Sequence, residues 1–262
     1  QKAAEEWLKS DAHSKWLLDQ YGSMTQMGVA VRYQGGECFW VLDLAGTNSG
    51  SNDPGAPTKA QEVPADVAVR RLSGSNRFAT NVAVNSHTSK KNRPVFVATG
   101  QQFPDALSVG PATALLDGRL YLTSQASMSP AALQSIKSSS PSAIYIIGGT
   151  GAVSDEVADL LRKATGLSPQ RVAGRDRYDT SAQIYTTFFE GTSSPVAFIA
   201  TGRNYPDALT AAAAGGALKS PVILVDGQGD RLPSNEVLTQ LKQKAQTIRV
   251  VGGKGAVSDS MY

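Results

Sequence analysis

The sequence predicts an α/β protein made of tandem repeats, each with a parallel sheet flanked by helices, preceded by a small α+β fragment. Three observations predict it. The first is internal repetition: TGQQFPDAL (Thr99 to Leu107) returns as TGRNYPDAL (Thr201 to Leu209), RLSGSNRF (Arg71 to Phe78) as RVAGRDRY (Arg171 to Tyr178), and IGGTGAVSD (Ile147 to Asp155) as VGGKGAVSD (Val251 to Asp259). The three echoes keep their order at offsets of 100, 102 and 104 residues, so one unit has been duplicated. The second is that runs of Val, Ile, Phe and Leu alternate with helical stretches, the pattern of a parallel sheet covered on both faces. The third is a segment rich in Gly, Pro, Ser and Asn, TNSGSNDPGAPTKAQEVP, that separates a short N-terminal part from the duplicated one.

Taken in order, residues 1 to 18 place Trp7, Leu8, Trp16, Leu17 and Leu18 among Glu, Lys and Asp at helical or near-helical spacing, which reads as an amphipathic helix, a turn and a second helical piece. MGVAVRY (Met27 to Tyr33) and ECFWVLDLAG (Glu37 to Gly46) then read as a β-hairpin around Gly35-Gly36. These pieces enclose little apolar area alone, so they are expected to complete a larger domain whose first part lies upstream. After the linker, a helix is expected over 79–86, a strand over 94–100, and a helix over 104–116 opened by a proline in its first turn. A strand at 119–123, a helix at 129–137, a strand at 143–149 and a helix at 154–165 ended by Gly166 complete the unit. The second unit follows the same plan: a helix after Asp179, strand VAFIATG, a helix from Pro206, strand VILVD, a helix from Ser234 and strand IRVVGG. Its closing helix is expected beyond Tyr262. The expected domains are therefore 1–46, a linker over 47–66, repeat 1 over 67–166 and a C-terminally incomplete repeat 2 over 167–262.

Composition is that of a folded protein, with 41% hydrophobic and 18% charged residues, and no apolar run reaches membrane-spanning length. The lone Cys38 allows no intramolecular disulfide and, beside Phe39 and Trp40 in the hairpin, reads as a small apolar residue. The net charge of +3 is unevenly placed. Residues 1–66 hold 5 basic and 9 acidic side chains, leaving 20 and 13 of the chain's 25 and 22 to residues 67–262. The duplicated part is the basic part, which favours anionic partners.

Residues for catalysis are sparse. His87 has no counterpart in the second repeat, and neither a nucleophile elbow, a metal-ligand spacing, a phosphate loop nor a full GxGxxG recurs, so neither metal nor cofactor is expected. The strand-end glycine turns preceding Pro104, Ser154 and Pro206 are shaped to attract anions. Tight strand-to-helix connections require glycine there in any case. Arg77 and Arg177 recur in register and are expected to pair with Asp105 and Asp207 or to reach a ligand. The candidate polymer-binding set is Arg71, Arg77, Arg171, Arg175, Arg177, Tyr178, Arg203 and Tyr205.

The linked motifs Arg-x-x-Gly-x-Asp/Asn-Arg-Phe/Tyr, Ala-Thr-Gly with Pro-Asp-Ala-Leu, and Gly-Gly-x-Gly-Ala-Val-Ser resemble the cell wall binding repeat type 2 family of Gram-positive surface proteins. The resemblance implies α/β units, usually three around a pseudo-threefold axis, secretion, and non-covalent attachment to an anionic wall polysaccharide or teichoic-acid-like polymer. It implies packing of like units with one another or a homo-oligomer, and neither nucleic acid nor a membrane span. The run WLKSDAHSKWLL with MGVAV and CFWVLDLAG resembles the C-terminal part of the bacterial CAP superfamily, with His13 on that family's cavity histidine. That second resemblance implies an alternative in which a CAP-like enzyme or ligand carrier uses the repeats only for targeting.

Overall fold

A computed structural model of the chain describes residues 24–34, 37–46, 71–87, 90–192, 194, 196–228 and 235–259. The two helical pieces expected over 1–18, His13 and the linker lie outside them. The chain divides into two compact units, Gln1–Arg70 and Arg71–Tyr262.

In the first unit, β1 (Met24–Gln34) pairs antiparallel with β2 (Glu37–Gly46). Gln34 sits opposite Glu37 and Tyr33 opposite Cys38, the antiparallel pairing expected of the hairpin. β1 starts three residues earlier than the alternation suggests, with a register irregularity between Met24 and Gln26.

The second unit contains two parallel sheets. β3 (Val95–Thr99), β4 (Arg119–Thr123), β5 (Ile144–Ile147) and β6 (Gln170–Val172) form one in the order β4-β3-β5-β6. β7 (Val196–Thr201), β8 (Val222–Val225) and β9 (Thr247–Val251) form the other in the order β8-β7-β9. β3, all Val, Phe, Ala and Thr, is buried at every position, as a central strand with covered faces must be. Seven helices separate the strands among the described residues: α1 (Arg77–Asn85), α2 (Pro104–Leu115), α3 (Pro130–Ser138), α4 (Asp155–Thr165), α5 (Arg177–Phe188), α6 (Pro206–Leu218) and α7 (Asn235–Lys244). Pro104 and Pro206 open α2 and α6, and α4 ends at Gly166 with φ +76°.

Two features depart from the expectations. α1 and α5 start at Arg77 and Arg177, two and about three residues before expected, because Asn76 and Asp176 cap them. The Asn76 side chain accepts from the N–H of Ala79 at 3.0 Å, and that of Asp176 from Tyr178 and Asp179 at 2.9 and 3.0 Å. The strand β6 is unanticipated. It lies within the RVAGRDRY echo that opens the second repeat, yet pairs with β5 of the first, Ile147 opposite Val172.

One hydrophobic cluster unites the repeats. Phe96, Val109, Ala112 and Ile147 of the first share it with Ile184, Tyr185, Phe189 and Ile223 of the second. The opposite face of the first sheet packs Val95, Val97 and Ile146 under Ile136, Val157 and Leu161 of α3 and α4. α2 and α6 pack on one another across the join.

Candidate functional site

The three echoes converge at the carboxyl ends of the strands, and several of their contacts recur in both repeats. Each begins with a turn in which the N–H of Gly74 or Gly174 donates to the hydroxyl of Thr80 or Thr180, at 3.0 Å in both. A Cβ on either glycine would collide with backbone of Ala79 and Thr80, or of Asp179 and Thr180, so only glycine fits. The turn launches α1 and α5 so that Arg77 Nη1 donates to the carbonyl of Gly100 and Arg177 Nη1 to that of Gly202, each at 2.6 Å. The rings of Phe78 and Tyr178 lie close enough to Gly100 and Gly202 that a Cβ would come within 2.6 and 2.8 Å of them. Asn81 and Ser181 then accept from the N–H of Leu122 and Leu224, both at 3.0 Å, fastening each helix to its neighbouring strand.

The second and third echoes meet each other. Gly148 and Gly252 take φ of +98° and +115°, and a Cβ there would run into the carboxylates of Asp105 and Asp207. Each Pro-Asp helix start is thus seated against the glycine pair of its own repeat. Burial holds the Asp105 carboxyl above its ordinary pKa, with the positive charge of Arg177 pulling the other way. Arg177 also places its guanidinium 5.8 Å from the centroid of the Phe103 ring. A second-repeat arginine therefore serves the first repeat as well as its own.

The eight residues expected to bind fall into four groups. Arg77, Arg171 and Arg177 brace backbone: Arg171 Nη1 donates to the carbonyls of Gly148 at 2.9 Å and Val153 at 2.8 Å, while Nη2 reaches Asp155 at 2.8 Å. Arg175 and Arg203 pair with carboxylates, Arg175 with Asp179 at 2.5 Å and Arg203 with Asp226, and each pairing raises the arginine's pKa. Tyr178 sits beside Arg203, its hydroxyl 3.5 Å from Asp226, and is raised by burial and then by the Asp226 charge. Arg71 and Tyr205 are exposed, and the Tyr205 ring stands edge-on to Phe103 with centroids 6.1 Å apart.

Arg177, Tyr178, Arg203 and Asp226 thus gather at the strand ends of the second repeat. The first repeat keeps the arginine, Arg77, but has Phe78, Gln101 and Ser124 in place of Tyr178, Arg203 and Asp226, and there Gln101 accepts from the N–H of Gln125 at 3.2 Å. Asp226 escaped the sequence reading, and its signal was present: an acid ending the apolar run VILVD, where the first repeat has Ser124 after RLYLT. His87 is exposed just past the end of α1. Among the described residues no cluster of three His, Cys, Asp or Glu is arranged to hold a metal, and no helix is long and apolar enough to cross a membrane. What this surface offers chemically is hydrogen-bond donors and positive charge on a braced scaffold.

Comparison with known proteins agrees with that inventory. The family description "Cell wall binding domain 2 (CWB2)" matches residues 71–158 and 171–262. The N-acetylmuramoyl-L-alanine amidase LytC of Bacillus subtilis (strain 168) is 29% identical over 198 residues, 76% of this chain and 39% of the relative. The amidase enhancer of the same organism is 28% identical over 208 residues, 79% of this chain and 28% of the relative. The chain therefore spans well under half of either. Cwp6 from Clostridium difficile shares the fold at a TM-score of 0.66 with 22% identity, over 76% of this chain and 33% of that one. Cwp8 from Clostridium difficile superposes with a TM-score of 0.62 and 26% identity, over 71% and 31%.

Proposed function

The chain belongs to the cell wall binding domain 2 family, and on that premise we propose that residues 71–262 hold a secreted surface protein at a Gram-positive wall by non-covalent contact with an anionic wall polymer. The observation that carries this reading is the location of the charge: the surplus of basic residues is confined to the duplicated region. Two like surfaces on one body bind a repeating polymer by effective concentration, so weak individual contacts suffice for retention. The matches to LytC and the amidase enhancer support a binding module joined to other activities, since each covers only part of the relative.

The reading includes packing against a further like unit. Val172 and Ile184 are 7% and 1% exposed in the join between repeats, whereas their first-repeat counterparts Leu72 and Val84 are 39% and 50% exposed. On the other side Leu107 packs against the second repeat's core, while its counterpart Leu209 is 51% exposed. Each repeat thus carries the half of the join that the other uses.

The test is retention on purified wall sacs. The protein should bind intact sacs and be released from them by salt, because exposed charge contacts are screened. Sacs stripped of anionic polymer should retain little, and equal retention on both would refute the proposal. A second reading, that the CAP-like segment 1–46 carries the enzyme or ligand site and the repeats only deliver it, is favoured by the β1–β2 hairpin that follows the His13 helix pattern. Unchanged metal and lipid binding by His13→Ala in the full-length protein would remove it.

A further inference from the structure

We infer that the paired loops Gly149-Thr150-Gly151 and Gly253-Lys254-Gly255 are where the polymer lies against the protein, touching backbone. This rests on the wall-binding reading and names the contact surface within it.

A glycine is needed inside a fold for one of two reasons: its φ lies where side chains are strained, or there is no room for a Cβ. Gly148 and Gly252 meet both conditions, and Gly74, Gly100, Gly174 and Gly202 meet the second. Gly149, Gly151, Gly253 and Gly255 meet neither. None has positive φ, and a Cβ on any of them would find nothing within 4 Å. Among the described residues Gly110 and Gly191 are equally unconstrained, but the second repeat has Ala212 where the first has Gly110, and the first has no glycine between 88 and 93 to match Gly191. Only the four loop positions are glycine in both repeats without an internal reason. The remaining reason is external: an outside chain comes so close to the backbone that a methyl group would collide with it.

The surroundings suit such an approach. The loops follow β5 and β9, at the carboxyl edge where parallel sheets present their ligand sites. Each is held from behind by a glutamine, Gln125 Nε2 donating to the carbonyl of Thr150 at 3.1 Å and Gln228 Nε2 to that of Lys254 at 2.9 Å. Gly151, Gly253 and Gly255 are exposed or nearly so, as are Thr150 and Lys254 between them. The N–H groups of residues 149–151 and 253–255 take no acceptor among the described residues, so each loop presents successive donors. Their complement is an extended, oxygen-rich chain whose phosphate or sugar oxygens accept.

The experiment compares the wild-type chain with the quadruple variant Gly149→Ala, Gly151→Ala, Gly253→Ala, Gly255→Ala, and with Gly110→Ala as control, on intact and stripped sacs. Alanine fits all four sites and restricts the unfolded chain, so Tm should hold or rise. Retention of the quadruple variant on intact sacs should fall about tenfold, equivalent to about 1.4 kcal/mol. Gly110→Ala should bind as wild type. Equal retention by the quadruple variant overturns the inference while leaving wall binding intact, and a lowered Tm overturns it too by revealing an internal need for glycine. Wild-type binding that is indifferent to stripping refutes the anionic-polymer reading. If the variant still loses that binding, the loops grip an uncharged glycan.

Discussion

At the scale of single residues, Arg177 and Asp105 show how the second repeat conditions the first. Arg177 donates to Gly202, covers Phe103 and lowers the cost of charge on Asp105, yet burial outweighs it and keeps that carboxyl harder to ionise than in the unfolded chain. The folded state therefore holds its proton longer, and ionisation costs stability as pH rises from the ordinary carboxylate range toward neutrality. Asp105→Asn should accordingly raise Tm at pH 7, with the gain shrinking as pH falls to the unfolded-state pKa and below. Thermal melts across pH 3 to 8 check this, and a pH-independent difference would contradict it. The sequence offered an arginine as partner to Asp105, and Arg177 supplies that charge, but the carbonyl of Gly202 and the ring of Phe103 that the same arginine serves were not legible. The recurrence of Arg77 and Arg177 announced that the arginines matter, but an arginine bound to a carbonyl and one bound to a ligand leave the same mark. Only the fold shows Arg77 on Gly100 and Arg171 on Gly148.

At the scale of elements, the order of strands and helices was legible because each apolar run is bounded by Gly or Pro, as at Thr99-Gly100 and Pro104. β6 was not. Its three residues, Gln170 to Val172, are too few and too polar to show a period, and only pairing with β5 makes them a strand. The join of α2 on α6 was equally hidden, because it depends on Gly215, which sequence alone reads as a weak point in a helix. A Cβ there would come within 2.8 Å of the Ser220 carbonyl, 2.9 Å of Val222 and 3.0 Å of Pro111 on α2, whereas the first repeat has Thr113 at this position. Gly215→Val should therefore force the helices apart, at a cost of about 1–3 kcal/mol. Urea denaturation measures it, and an unchanged midpoint would show that the join has slack.

At the scale of the molecule, the two repeats share one apolar cluster, and β6 fastens the start of the second to the sheet of the first. Residues 71–262 should thus unfold in a single transition, with calorimetric and van't Hoff enthalpies in a ratio near one. Two resolved transitions would mean that the shared cluster is too small to couple the repeats.

The strand β6 has a last consequence, for the grammar of the duplication. The unit that is copied in sequence and the unit that closes in space are out of phase: the copied text opens with RVAG, while the sheet before it ends with the first two of those letters. A repeat excised at the borders of its text would lose its own final strand and leave β5 as a bare edge, ready to template pairing with any other chain. The smallest piece that can be moved to another protein without that hazard is a repeat together with the first words of the next.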